Sequence, residues 1–466
     1  MAGIGFVLQR FLQTDRLTTN LQGLAHAGVV SSGPWLFSCL ALACIQLLGR
    51  PFADAGALQQ FTILTVYNFS FSLVIAGPIV LVVTRCVADA IYAKQMHEVS
   101  DLLLGALCLL FSVTALFGVP FYGFFLDLAP LDRLVAFAGL MLTGGIWLAA
   151  AFMSALKSYS SISTAFGAGM LGAVLLAAWL APRMGGSGLL VSFTFGLAVI
   201  FFTLVARVFA EFPGRGARLF GFLRAFPRYW ELAWVGLFYN AAIWVDKWIM
   251  WFVPGPVAPA GPMLANPAYE GAMFLAYLST VPAMALFLID VETRFYRIYV
   301  RFYRQISEHA TLAEIRSNHA DLTEVLGQSL RRIALLQGTV CVVGILLASA
   351  VIQAVGGGLE MVPIFRFGLL GALFHVLLTL TLAVLAYFDL RRLLLGVSLT
   401  YLLLNAGFTL LSVWLGEQFH GWGYFIATAV TFAIAFFLAA SRLGHLPYLT
   451  FVSNNATVRS PPSKAE

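Results

Sequence analysis

Long apolar runs alternate with short polar joints along almost the whole chain. Windows of about 19 residues, enough helix to cross a bilayer core of about 30 Å, select segments near 24–48, 61–84, 102–126, 134–156, 161–182, 188–210, 230–252, 271–290, 333–355, 362–386, 393–415 and 422–441. The pattern predicts an all-α polytopic membrane protein of about twelve transmembrane helices. Ahead of the first span, Phe6, Leu8, Phe11 and Leu12 interleave with Gln9, Arg10 and Gln13. That spacing predicts a short interfacial helix, and no removable signal peptide is expected.

Charge sets orientation and divides the chain. Of 27 basic residues, 22 fall on the side that holds both termini, the opposite loops hold only Arg50, Arg133 and Arg183, and Lys247 and Arg366 lie within or at the end of spans. Both termini are therefore expected to be cytoplasmic. Residues 1–210 then form a first six-helix set with its interfacial helix, and 211–229 a basic cytoplasmic linker. Residues 230–445 form a second set with a cytoplasmic helical insertion at 293–332, and 446–466 a polar cytoplasmic tail. In the insertion Arg294, Arg297, Arg301 and Arg304 share one helix face, opposite Phe295, Tyr296, Tyr299, Phe302 and Tyr303. Either anionic lipid or a cytosolic partner fits this face. A second helix is predicted to begin at a Thr311-x-x-Glu314 capping box.

Composition excludes more than it adds. The chain is 61% hydrophobic and 10% charged, against about 25% charged in soluble domains, and its balance of +6 reports orientation and no nucleic-acid partner. The five cysteines form no C-x-x-C pair, so neither a disulfide framework nor a metal site is implied. Nucleotide-loop, dinucleotide and zinc-protease motifs are missing, so no cofactor is implied. Exterior carboxylates stand singly at Asp54, Asp127, Asp132, Glu270, Glu360 and Glu417. Nothing there makes an acid/base pair, which argues against an enzyme and for movement of a cargo.

The polar residues left inside the spans are few. Ser31-Ser32-Gly33-Pro34 breaks span one, Gly77-Pro78 span two and Pro282 span eight. Each proline frees a carbonyl four residues back, making Gly33, Pro34, Gly77, Pro78 and Pro282 either hinges or passive kinks. Span seven carries Trp230, Trp234, Trp244, Trp248 and Trp251 within an arc of about 100°. Asn240 and Lys247 sit at the edge of that arc, and Tyr239 and Asp246 lie on another face. Intramembrane charges are functional candidates by default. Lys247 either lines a path or reaches exterior headgroups, and Asp246 is expected to line an outward vestibule. Together with Trp234, Trp244, Ser31 and Ser32 these residues are the candidate substrate path. His26 and His375 are open between packing and proton relay.

Met1-Ala2-Gly3-Ile4-Gly5-Phe6, Ser31-Ser32-Gly33-Pro34-Trp35, and Phe226-Pro227-Arg228-Tyr229-Trp230 leading to Tyr239-Asn240 and Trp244-Val245-Asp246-Lys247 together resemble the PelG family. These are inner-membrane transporters of bacterial Pel exopolysaccharide systems. The resemblance covers the chain to about residue 445. It implies the multidrug/oligosaccharidyl-lipid/polysaccharide flippase fold, two six-helix bundles around a central cavity. It also implies a cargo rich in N-acetylgalactosamine and three partners: the cyclic-di-GMP receptor PelD, the membrane protein PelE and the cytosolic glycosyltransferase PelF. The basic face at 294–304 suits their docking. Expected function is outward export of a polysaccharide chain during biofilm matrix synthesis. A lipid-linked oligosaccharide flippase and a non-conducting scaffold for a glycosyltransferase complex are the alternatives.

Overall fold

A computed structural model describes residues 17–96, 98–156, 158–212, 219–253, 263–308 and 310–446, without the side chains of 17–32, 292 and 293. The expected interfacial helix, Arg215 and Arg218 of the linker, the tail beyond 446, and the side chains of Ser31, Ser32 and His26 lie outside this set.

Among the described residues the chain is helical without strands. The first half comprises α1 (Leu17–Gly49), α2 (Ala55–Tyr92), α3 (Glu98–Pro120), α4 (Pro130–Ala155) and α5 (Tyr159–Glu211). Helix α5 supplies two crossings, because Gly185 at φ 55° and ψ −132° breaks it where the sequence separates 161–182 from 188–210. The second half comprises α6 (Trp230–Met250), α7 (Pro267–Leu278), α8 (Val281–Ile289), α9 (Tyr296–Ser307), α10 (Leu312–Leu346), α11 (Ala348–Ala354), α12 (Met361–Tyr387), α13 (Arg391–Leu415) and α14 (Trp422–Gly444). Helices α7 and α8 together make the eighth crossing, and α10 with α11 the ninth. Among the described residues nine helices are long and apolar enough to cross a membrane, with α5 counted once and Gly33–Gly49 of α1 a shorter apolar stretch, roughly consistent with the twelve expected.

The two halves are differently packed. In the first, α1, α2, α3 and α4 pack against one another or against α5 around one continuous apolar core. In the second, α6 pairs with α13, and α12 with α7 and α14. Its apolar core is divided into separate clusters at the two ends and the middle, which leaves a polar centre.

The halves meet through α2 against α6 and α1 against α8. Lipid supplies no hydrophobic drive between helices, so close approach rests on small residues. Gly77 of α2 and Gly236 of α6 meet this need: a Cβ on either would strike the other's carbonyl oxygen. Above this crossing Trp248 Nε1 donates to Ser70 Oγ at 2.8 Å, and the Trp251 ring packs against Tyr67 at 4.6 Å, tilted by 34°. Below it Tyr229 Oη donates to Asp89 at 2.6 Å, while Arg85 and Arg391 flank the Tyr229 ring and both pair with Asp389.

The insertion is a hairpin of α9 and α10. Phe302 and Phe295 are buried against Ile315, Leu322 and Phe388, and Arg332 pairs with the buried Asp290 at 2.9 Å. The capping box forms as predicted: Thr311 N–H donates to Glu314 at 2.8 Å, and Glu314 N–H to Thr311 Oγ1 at 3.4 Å.

Two predictions follow from these contacts. Gly77→Val and Gly236→Val are each expected to cost at least the 1–3 kcal/mol typical of overpacking, read as lowered thermal stability of the purified protein, whereas Gly396→Val, facing open space, changes little. The Thr311 hydrogen bonds hold the Glu314 carboxyl below its ordinary value, so the cap contributes fully above that value and is lost as pH falls through the folded one. Protection of the Thr311, Glu314 and Ile315 amides, taken as exchange relative to the intrinsic rate at each pH, should therefore be constant between about pH 6 and 8 and fall once the pH is well below the ordinary Glu value of about 4.3.

Candidate functional site

Helix α6 sends one flank to the first bundle and another into the centre of the second. Seven residues apart, Tyr239 and Asp246 share the inward flank. Asp246 is fully buried and Lys247 is 7% exposed. The lysine turns inward, its Nζ donating to Asp246 Oδ1 and Oδ2 at 3.1 and 3.0 Å and to the Ile243 carbonyl at 3.1 Å. It does not reach for headgroups, because a carboxylate within reach at low dielectric outweighs the cost of bending a flexible stem. Asp246 accepts a further bond from Tyr269 Oη at 2.9 Å. Asn405 Nδ2 donates to the Ala242 carbonyl at 2.8 Å and stands 3.5 Å from Asp246 Oδ1. One carboxylate thereby ties α6 to α7 and α13.

Aromatic rings close around the ammonium. Lys247 Nζ lies 5.0 Å from the Tyr277 ring centre, 5.7 Å from Tyr424 and 5.9 Å from Trp244, within cation–π range. Behind them His375 is ringed by Tyr277, Tyr401, Tyr239 and Tyr424 at 5.7–6.4 Å. Its Nδ1 is 3.3 Å from Tyr401 Oη, and Tyr239 Oη is 3.3 Å from Thr379 Oγ1. Tyr239, Tyr277 and His375 are each partly exposed. Together they present hydroxyls, an imidazole and ring faces, the chemistry that holds sugar rings by stacking and hydrogen bonding. Among the described residues no group of three or more His, Cys, Asp or Glu side chains is placed to hold a metal.

The other candidates disperse. Asn240 leaves the edge it shares with Lys247 in sequence and donates to the Leu73 carbonyl of α2 at 3.2 Å, near Gly77 and Pro78, through which α2 runs unbroken. Trp234 is exposed and stacks on Phe238. Trp248 and Trp251 bridge to the first bundle. Helix α1 runs unbroken through Gly33 and Pro34, with Ser38 Oγ donating to the Pro34 carbonyl at 2.9 Å. Pro282 opens α8 after a true break, where Ser279 and Thr280 hydroxyls donate to the Ala276 and Tyr277 carbonyls at 2.6 and 2.7 Å. Gln337 of α10 donates to Ser279 Oγ at 3.2 Å.

Sequence spacing missed Tyr269, Tyr277, Tyr401, Asn405 and Tyr424, because they arrive from α7, α13 and α14 and no periodicity on α6 points to them. At the seam of α2, α3 and α6 a separate apolar cavity of about 480 Å³ is lined by Phe71, Val74, Pro78, Phe117, Phe121 and Leu237, among others.

A family model, PelG, described as "Putative exopolysaccharide Exporter (EPS-E)", matches residues 1–451. The chain belongs to the PelG family. PelG is a family of exporters, not enzymes, and its association is with exopolysaccharide export. Among proteins with curated descriptions none matches the chain by sequence. Solved structures share the fold. A transporter of the MOP superfamily from Pyrococcus furiosus, whose reversed pocket polarity is said to suggest a different function, is 14% identical over 90% of this chain and 96% of its own, with a TM-score of 0.63. An outward-facing multidrug resistance MATE transporter is 14% identical over 94% and 98%, also at 0.63. An inward-facing one is 13% identical over 90% and 99%, at 0.63. At such identities the likeness bears on the fold alone: this PelG member is a multi-pass membrane protein with a MATE-like transporter fold.

The ion pair makes a prediction. Lys247→Met leaves a buried uncompensated carboxylate and is expected to cost about 3–5 kcal/mol, whereas Asp246→Asn/Lys247→Met removes both charges and should recover most of that loss. Thermal melting of the purified protein measures both. Equal losses in the single and double variants would show that the pair is not a self-contained unit.

Proposed function

We propose that this protein carries a Pel-type exopolysaccharide chain, rich in N-acetylgalactosamine, outward across the bacterial inner membrane, with both termini cytoplasmic, during biofilm matrix synthesis. The cluster of partly exposed ring, hydroxyl and imidazole side chains around the Asp246–Lys247 pair is the observation that carries this reading. In it Tyr239, Trp244, Tyr277 and His375 contact sugar rings, while Asp246 and Lys247 hold the wall in shape. Asn240, Gly77 and Pro78 lie where α2 meets α6, so rearrangement at that seam opens or closes the route, with Gly33, Pro34 and Pro282 as further sites of bending. A cytosolic glycosyltransferase like PelF, with membrane partners like PelD and PelE, delivers the chain from the side on which the α9–α10 hairpin stands.

The apolar cavity at the α2–α3–α6 seam favours one second reading, a flippase for a lipid-linked oligosaccharide, with the lipid chain in the cavity and the sugars against the polar cluster. Recovery of a lipid-linked sugar with the purified protein supports this second reading.

The main reading is tested in vesicles that contain the protein and are supplied with the glycosyltransferase and sugar donor outside. Polymer should accumulate in the lumen. Tyr277→Ala and Trp244→Ala are each expected to lower lumenal polymer roughly 2- to 10-fold, the worth of one ring contact, at unchanged protein level. Full export by these variants and by Asp246→Ala would remove the path assignment.

A further inference from the structure

Helix α9 presents three different surfaces. At about 100° per residue, Ile298, Phe302, Phe295 and Tyr299 fall on one arc, which packs on α10 and on the end of α12; Tyr299 Oη donates to the Tyr387 carbonyl at 3.0 Å. Next to it Tyr296, Val300 and Tyr303 form a second arc, exposed at 37%, 41% and 37%. The arginines make the third, with Arg294, Arg297 and Arg304 exposed. Arg301, also exposed, donates to Asn318 at 2.6 Å and Asp321 at 2.5 Å.

The depth of these arcs is fixed by their neighbours. Phe295 and Tyr299 lie against Tyr387 and Phe388 at the cytoplasmic end of α12. His319, on the α10 strand of the same hairpin, meets the Leu443 carbonyl at the cytoplasmic end of α14 at 2.7 Å. Helix α9 therefore lies at the level where two spans leave the bilayer. At that level a tyrosine–valine stripe fits the boundary between acyl chains and headgroups, and adjoining guanidinium groups meet phosphates. A soluble acidic protein would satisfy the arginines but would not account for the apolar arc beside them at bilayer depth.

We propose that α9 is a binding site for anionic phospholipid: the headgroup phosphate sits on Arg294, Arg297 and Arg304, and the Tyr296–Val300–Tyr303 stripe lies along the upper acyl chain. The site is independent of what the protein transports.

Binding of a fluorescent phosphatidylglycerol to the full-length protein in neutral detergent tests this, with phosphatidylcholine as the comparison. Each arginine near an anionic surface contributes about 1 kcal/mol, so Arg294→Gln/Arg297→Gln/Arg304→Gln should weaken phosphatidylglycerol binding on the order of 100-fold and leave phosphatidylcholine unchanged. The corresponding triple lysine variant retains binding. For the unaltered protein, raising salt from 0.05 to 0.5 M, as rough limits, weakens phosphatidylglycerol alone. Undiminished phosphatidylglycerol binding by the glutamine variant overturns the proposal, as does an equal loss for both lipids. Loss of a co-purifying cytosolic protein in that variant, with lipid binding intact, overturns it in favour of a protein-docking face.

Discussion

The two bundles come closest where backbone meets backbone, at Gly77 and Gly236. In a hydrocarbon solvent association rests on packing and on polar groups that find partners, and this crossing allows both. With no side chains between them, α2 and α6 approach closely enough for Asn240 to reach the Leu73 carbonyl and for Trp248 to reach Ser70. The aromatic closure above and the Tyr229–Asp89 contact below depend on the same approach. A wider seam would leave each of these polar groups without a partner in lipid.

The second constraint is electrostatic. A carboxylate at zero exposure is tolerated because Lys247, Tyr269 and Asn405 meet it from three directions. The ammonium in turn is held by the carboxylate, a carbonyl and three rings. Such a pair adds little net stability over apolar residues, and breaking it on one side is costly. What it supplies is position, since it fixes α7 and α13 relative to α6 in a bundle whose apolar core is divided.

The fold was legible because hydropathy acts on whole segments. All twelve predicted runs lie in or closely overlap helices, and even the split of α5 at Gly185 was marked in sequence by Pro182 and the glycines after it. The capping box at Thr311 was legible because both of its partners lie within four residues. The site was less so. Angular placement on α6 paired Tyr239 with Asp246 correctly but put Lys247 on Asn240's edge. A helical wheel places Cβ atoms, and a four-carbon side chain can swing its charge around the helix. Tyr269, Tyr277, Tyr401, Asn405 and Tyr424 were invisible for another reason: a ring or an amide in mid-span has no signature until the helix opposite is known. Tryptophans look alike in sequence too, and only the neighbour distinguishes Trp248, bound to Ser70, from the exposed Trp234.

Helix α10 runs for 35 residues without a break, about 52 Å at 1.5 Å per residue. Its first turn is capped in the hairpin with α9, and at Gln337 it holds Ser279, where span eight is interrupted. Surface hairpin and mid-membrane interruption are thus attached to one stiff rod. Seen as a linkage, the rod gives these two places a shared displacement, so that a force applied at the membrane surface acts on span eight at its weakest joint.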